Sequence, residues 1–260
     1  MPDAAGKNNM IKIISLAILL SFVHVPGELY SQPDEDAKLN YLIKAFNKNS
    51  FAMLKQFYAK WQSEIKPISQ NERSKLSDTL QKVYQVFEYY SNLNEKPKRY
   101  YRSLYCMVQN QIKFSIASVE HLIYPVPDSL VIKKDSLIDF RPTHKKLQSK
   151  IVYVSKKYLS ILKSFVNCDT LKINDIDKKN YNEKDFPGWP HASFLAKITE
   201  IRASTMGFLF ITLPMLDIEF NKNMDEAIVN WSIGFAFGGE LLVKSGGIWK
   251  YKKNLYDITM

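Results

Sequence analysis

Leu213–Lys250 reads LPMLDIEFNKNMDEAIVNWSIGFAFGGELLVKSGGIWK, and its periodicity decides the fold class. Leu216, Ile218 and Phe220 alternate with Asp217, Glu219 and Asn221. Val229, Trp231, Ile233, Phe235 and Phe237 then fall on one side of a long strand, with Ile228, Asn230, Ser232, Gly234 and Ala236 on the other. Alternation with period two marks β-strands that bury one side. Five of the nine glycines lie between Gly234 and Gly247, where turns are expected. One turn is read at Gly238-Gly239, leading into Leu241–Lys244, and another at Ser245-Gly246-Gly247, leading into Ile248–Lys252. The stretch predicts an antiparallel β-meander over 195–253. Its second side is small and partly polar, and is either solvated or floors a cavity.

Upstream, the period changes from two to 3.6. Leu39, Leu42, Ile43 and Phe46 share one helical side, after the acidic Asp34, Glu35 and Asp36. Ser50 is an N-cap for a second helix carrying Phe51, Leu54, Tyr58, Trp61 and Ile65, stopped by Pro67. Ser69-Gln70-Asn71-Glu72 is a capping-box pattern for a third, with Leu76, Leu80, Val83, Phe87 and Tyr90 as its stripe. The helical region spans 36–91, and the short connection between the second and third helices predicts an antiparallel pair.

Region 100–148 reads as a hairpin and linker. Tyr105, Met107 and Gln109 alternate, and Ile112, Phe114 and Ile116 alternate after Asn110-Gln111, which predicts a β-hairpin. Pro125–Pro142 reads as a long loop with a short strand at Leu130–Ile132. In 150–167, Ile151–Val154 reads as a strand, and Ser155 caps a helix whose apolar side is Tyr158, Leu159, Leu162 and Phe165. Asn167–Pro190 reads as polar, with Pro187-Gly188-Trp189-Pro190 as a rigid turn.

Together these elements predict one α+β domain over 33–260: an N-terminal helical hairpin packed on a curved antiparallel sheet that ends in a β-meander. The order resembles the cystatin-like or NTF2-like cone, in which helices pack on one face of a bent sheet. LPMLDIEFNKNMDEAIVNW, GGELLVKSGGIWK and Asp139-Phe140-Arg141-Pro142 followed by KIVYVSKKYLSILKSF look similar to parts of uncharacterised secreted proteins of Bacteroidota-type bacteria. That resemblance implies the fold and export and supplies no catalytic residue.

Residues 1–32 read as a signal peptide. Lys7 and Lys12 precede an apolar run from Ile13 to Val23, and Pro26-Gly27 follows. The run is about half of the ~20 residues a membrane span needs. Residues 20–34 contain no Cys, so a lipoprotein is not expected. The expected product is exported, periplasmic or extracellular, with no integral membrane segment after processing.

The net charge is +10, and the first 32 residues hold two basic and two acidic side chains, so the excess survives processing. Only Arg73, Arg99, Arg102, Arg141 and Arg202 carry a guanidinium, whereas base readout favours arginine. With export, this argues against nucleic acid; the excess reads as a lysine-solvated surface, with anionic glycan as the alternative partner.

Cys106 and Cys168 are the only cysteines. A disulfide between them and two buried thiols both remain open readings. No metal or cofactor is expected, because His121, His144 and His191 are scattered and no metal, phosphate-loop or nucleophile-elbow motif is present. Gly238-Gly239-Glu240 is read as a turn.

Asp217 and Glu219 share one strand side about 7 Å apart by strand rise. They read as the solvent side of an amphipathic strand or as an acid–base pair working with a histidine. Asp78-Thr79-Leu80, Asp128-Ser129-Leu130, Asp135-Ser136-Leu137 and Asp169-Thr170-Leu171 resemble O-glycosylation sequons of Bacteroides-like exported proteins, and Asn230-Trp231-Ser232 fits an N-glycosylation pattern. The catalytic residues, if any, are unknown from sequence. The expected activity is a non-enzymatic binding or accessory module for an unknown ligand or glycan. The alternatives are a hydrolase-like enzyme near Asp217 and Glu219, or a surface-assembly component binding anionic glycan. A closed pocket holding both carboxylates and a histidine would favour the enzyme.

Overall fold

The computed structural model describes residues 33–94, 103–145, 147, 149–166, 188–204, 207–210, 213–233 and 236–259. The signal segment, Cys168 and the sequon at Asp169 lie outside them.

The helices form where the sequence places its stripes. α1 (Pro33–Asn47) begins on Asp34, Glu35 and Asp36, whose charges favour a helix N-terminus. α2 (Phe51–Glu64) starts where the Ser50 hydroxyl accepts from Met53 N–H, and ends three residues before Pro67. The third helix divides. α3 (Gln70–Ser74) carries both bonds of the Ser69/Glu72 capping box, and Ser77 recaps the chain for α4 (Asp78–Asn94). α2 pairs with α1, while its buried residues and those of α4 belong to separate cores. The helical hairpin is therefore α1–α2, one helix earlier than expected.

Tyr105–Ala117 corrects the predicted β-hairpin. β1 (Tyr105–Gln109) and β2 (Gln111–Ala117) do not pair with each other. β1 lies parallel to β4 (Lys150–Val154), whereas β2 pairs antiparallel with β3 (Val131–Ile138) and parallel with β7 (Met215–Phe220). A two-residue hairpin turn needs positive φ, and Asn110 is not among the positive-φ residues. Asn110 instead exchanges hydrogen bonds with Phe140, its carbonyl accepting from Phe140 N–H at 2.8 Å and its Nδ2 donating to Phe140 O at 3.2 Å. Gln109 reaches across to β7, where its amide group accepts from Leu216 N–H (2.7 Å) and donates to Leu216 O (3.0 Å). A side chain thus continues the ladder where the backbone leaves it.

β3 also exceeds the short strand expected at Leu130–Ile132; a 3₁₀ turn at Asp128–Leu130 precedes it. As an edge strand it is exposed on most of its length, so no apolar alternation announced it. Trp189-Pro190 opens a short helix, α6 (Trp189–Leu195), rather than a rigid turn, with proline in the first turn where its missing N–H costs nothing. β4 and α5 (Lys156–Val166) lie as expected.

The C-terminal meander is present as β7, β8 (Glu226–Ile233), β9 (Ala236–Ser245) and β10 (Ile248–Thr259). With β2 and β3 it makes a six-stranded, mostly antiparallel sheet in the order β10-β9-β8-β7-β2-β3. A small hairpin pairs β5 (Arg202–Ser204) with β6 (Gly207–Leu209). Gly246 and Gly247 make the expected turn with positive φ. Gly238 and Gly239 do not turn; they lie inside β9, opposite Trp231 and Tyr256 respectively. The protein is an α+β fold with helices first and the sheet last.

Two cores result. The first gathers α1, α2, β1, β4, α5 and α6, with Trp61 stacked on Tyr158 at 4.2 Å between ring centres. The second lies between α4 and one face of the six-stranded sheet, through Val83, Tyr84, Phe87, Phe114, Ile218, Phe220 and Val229.

Candidate functional site on the open sheet face

Strand alternation sends Leu216, Ile218 and Phe220 into the second core, and therefore Asp217 and Glu219 to the opposite face. Registration collects polar groups around them. Glu219 is opposite Ser115, Ser115 is opposite Lys134, and Lys113 is opposite Ser136. Asp217 is opposite Asn230, Asn230 opposite Gly239, and Gly239 opposite Tyr256. The face is a groove of about 560 Å³, open to solvent, lined by Gln111, Lys113, Ser115, Ser136, Asp217, Glu219 and Asn230 among others.

A hydrogen-bonded chain orders its floor. Asn230 Nδ2 donates to Glu219 Oε1 at 2.7 Å, and Tyr256 Oη donates to Asn230 Oδ1 at 2.9 Å. Tyr124 stacks on Tyr256, with ring centres 4.7 Å apart and planes inclined by 19°. Gly239 makes this reach possible: a Cβ there would stand 2.2 Å from Tyr256 Cε1. On the other face, a Cβ on Gly238 would stand 2.5 Å from the Trp231 ring. The two glycines are mid-strand seats for aromatic rings, and the turn reading of Gly238-Gly239-Glu240 is corrected accordingly.

The environment raises both carboxylates. Burial lifts Glu219 above its ordinary value despite the Asn230 hydrogen bond, and the neighbouring charge of Asp217 adds to the rise. Burial among the strand neighbours also lifts Asp217, although its side chain reaches solvent; the Lys113 ammonium and backbone N–H oppose the shift. Tyr256 is raised as well, chiefly by burial.

Among the described residues no histidine lines the groove. His121 is exposed and meets the buried Glu226 at 3.3 Å, where Leu122 N–H also donates to Glu226, fixing the loop that follows β2. His191 is buried in the first core against Phe46 and Phe165. His144 is buried beside Phe87 in the second half of the molecule. Among the described residues no cluster of three or more metal-ligating side chains occurs. Cys106 is buried in β1, and Cys168, its partner in the disulfide reading, lies outside the described residues. No helix among the described residues is long and apolar enough to cross a membrane.

Asp217 and Glu219 were singled out by sequence; Asn230, Tyr256, Tyr124, Lys113 and Ser115 were not assigned to a site. The signal for Asn230 was present, since the strand pattern already set it on the small, polar side. Asn230 is turned toward Glu219, so the N-glycosylation pattern falls on a residue engaged in the groove. The sequons at Asp78, Asp128 and Asp135 fall at the start of α4, in the 3₁₀ turn and on β3.

Comparison of the chain with protein-family models, with curated proteins and with solved structures finds no match.

Proposed function

We propose that this chain is an exported binding module whose open sheet face holds an uncharged saccharide. The observation that carries the reading is the groove itself: two carboxylates, two amides and two hydroxyls converge on one face, beside a stacked tyrosine pair. Carboxylates and amides supply the paired acceptors and donors that sugar hydroxyls need, and an aromatic ring offers an apolar surface to a sugar's C–H face. An anionic glycan fits less well, because it would meet Asp217 and Glu219 at the floor. Lys134 is already paired with Asp128 at 2.6 Å. The export reading rests on residues 1–32, and the cone-like resemblance is supported by α4 lying across one sheet face while the meander closes the chain. A glycan array probed with the 33–260 protein tests the function. Binding to neutral saccharides that is lost in Glu219→Gln and Asn230→Ala is expected; an array on which only sulfated or uronic glycans bind would defeat it.

A second reading has its own observation. Two raised carboxylates project from alternate residues of one strand onto the same open groove, as a pair in which one acts as acid and the other as base on water would require. Release of nitrophenol from nitrophenyl glycosides, abolished by Asp217→Asn and by Glu219→Gln, would establish it. Binding without turnover favours the module.

A further inference from the structure

A second cavity lies beside the groove, on the other side of Gln111. It has a volume of about 200 Å³ and is lined by Gln109, Asn110, Ile138, Val154, Leu159 and Met215 among others, with Gln111 shared between the two cavities. It lies where β1 bends into β2 and where the first turns of α5 approach the sheet. Three of its residues form one end of the open face: Ile138 is opposite Gln111 in the β2–β3 ladder, and Met215 is two residues before Asp217 on β7. Ile138 and Met215 are 58% and 48% exposed, and nothing polar in their own side chains accounts for their position. Leu159 and Val154 supply the opposite wall from the first core.

The face therefore changes character along the strands. Its row at Glu219, Ser115 and Lys134 and its row at Asp217, Lys113 and Ser136 are polar. The next step, at Met215, Gln111 and Ile138, is apolar on both sides of one amide and borders a cleft to which Val154 and Leu159 add apolar surface and Ser155 and Lys156 a polar edge. Rows on one face of a strand are about 7 Å apart, so a ligand spanning the polar rows and the cleft is elongated, with an apolar group at one end only.

From this adjacency we infer that the ligand is a glycoconjugate: a saccharide in the polar groove carrying an alkyl, acyl or aryl group that enters the cleft beside Leu159 and Met215. The inference rests on the saccharide reading of the groove and names the part of the ligand that reading leaves open. The apolar group is the end removed from Glu219, so the saccharide is bound with its aglycone directed toward Gln111. Burial of an alkyl chain against these side chains favours binding in proportion to the apolar area covered.

Calorimetry with matched methyl and octyl glycosides of glucose, galactose, mannose and N-acetylglucosamine, kept below the micellar concentration of the octyl series, tests this. For a sugar that the groove accepts, the octyl glycoside is expected to bind at least tenfold more tightly than the methyl glycoside. Leu159→Gln is expected to remove that gain. Met215→Ser, at an exposed position with little bearing on folding, is expected to reduce it, while both variants keep the affinity for the methyl glycoside. Equal affinities of the methyl and octyl glycosides would overturn the inference and leave the saccharide reading standing. Octyl gains that are the same for every sugar and unchanged by Asn230→Ala would overturn the inference along with the saccharide reading. So would an absence of binding by either series.

Discussion

The two cores are built from similar side chains and end in opposite states of closure. In the helical half, α1, α2, α5 and α6 share one core with the β1/β4 pair, and fully buried rings such as Trp61, Tyr58 and Tyr105 lie within it. In the sheet half, α4 covers one face alone, and the other is left to Asp217, Glu219, Lys113 and Asn230. The difference shows where chemistry can sit. A short strand pair taken into a helical core keeps little surface, whereas a six-stranded, mostly antiparallel sheet with one helical cover keeps a whole face for polar groups. Strand alternation then makes that face a by-product of core packing: each residue sent inward to meet α4 sends its neighbour outward.

The contrast can be broken most severely at Trp61. Its ring stacks on Tyr158 and its Nε1 donates to Tyr153 O at 2.9 Å, so Trp61→Ala removes the packing and one of the two hydrogen bonds to that carbonyl, which Ser155 N–H keeps satisfied. A loss of about 3–5 kcal/mol in urea unfolding is expected. A loss below 1 kcal/mol would show that the helical half is less tightly sealed than its packing implies.

The glycine pair sharpens the comparison, because consecutive residues serve opposite faces. Gly238→Ala and Gly239→Ala each drive a methyl group into an aromatic ring and should each cost roughly 1–3 kcal/mol. Gly239→Ala alone should weaken ligand binding, since it displaces Tyr256 from Asn230. Equal binding by the two variants would separate the groove from the Tyr256–Asn230 chain.

His191 tests the seal by titration. Burial against Phe46 and Phe165 holds it down at about 4, below the ordinary 6.5. Between those values the unfolded chain takes up a proton that the folded chain refuses. Stability associated with neutral His191 is therefore complete above pH 6.5 and falls as the pH drops toward 4, by at most ~1.4 kcal/mol per pH unit. His191→Leu should flatten the stability profile in that window; an unchanged slope would show that water reaches the ring.

The smallest effect is expected on the open face. A carboxylate raised in the fold is costly there when ionised, so Asp217→Asn should slightly stabilise the protein at pH 7. The difference should disappear as the pH falls below the unfolded value of 3.8, where both states are protonated. Destabilisation at pH 7 would mean that Lys113 holds the charge more firmly than burial opposes it.

Most helices and strands were set by signals local to the sequence. Stripes at Leu54, Tyr58 and Trp61, caps at Ser50 and Ser155, and alternation through Ile218, Val229 and Trp231 are properties of a few consecutive residues, and each produced the expected element, whereas the Ser69 box capped only the short α3. The two carboxylates were legible for the same reason. Tertiary structure decided which elements met. Asn110-Gln111 has the composition of a turn, but Phe140 and Leu216, distant in sequence, satisfy the groups around it, and the chain bends there from one sheet into another without folding back on itself. Gly238-Gly239 reads as a turn until Trp231 and Tyr256 occupy the space that side chains would need. Edge strand β3 carries no burial pattern because pairing with β2, not burial, makes it a strand. The groove depends on all three outcomes, since its walls come from strands far apart in the chain whose register only folding can set.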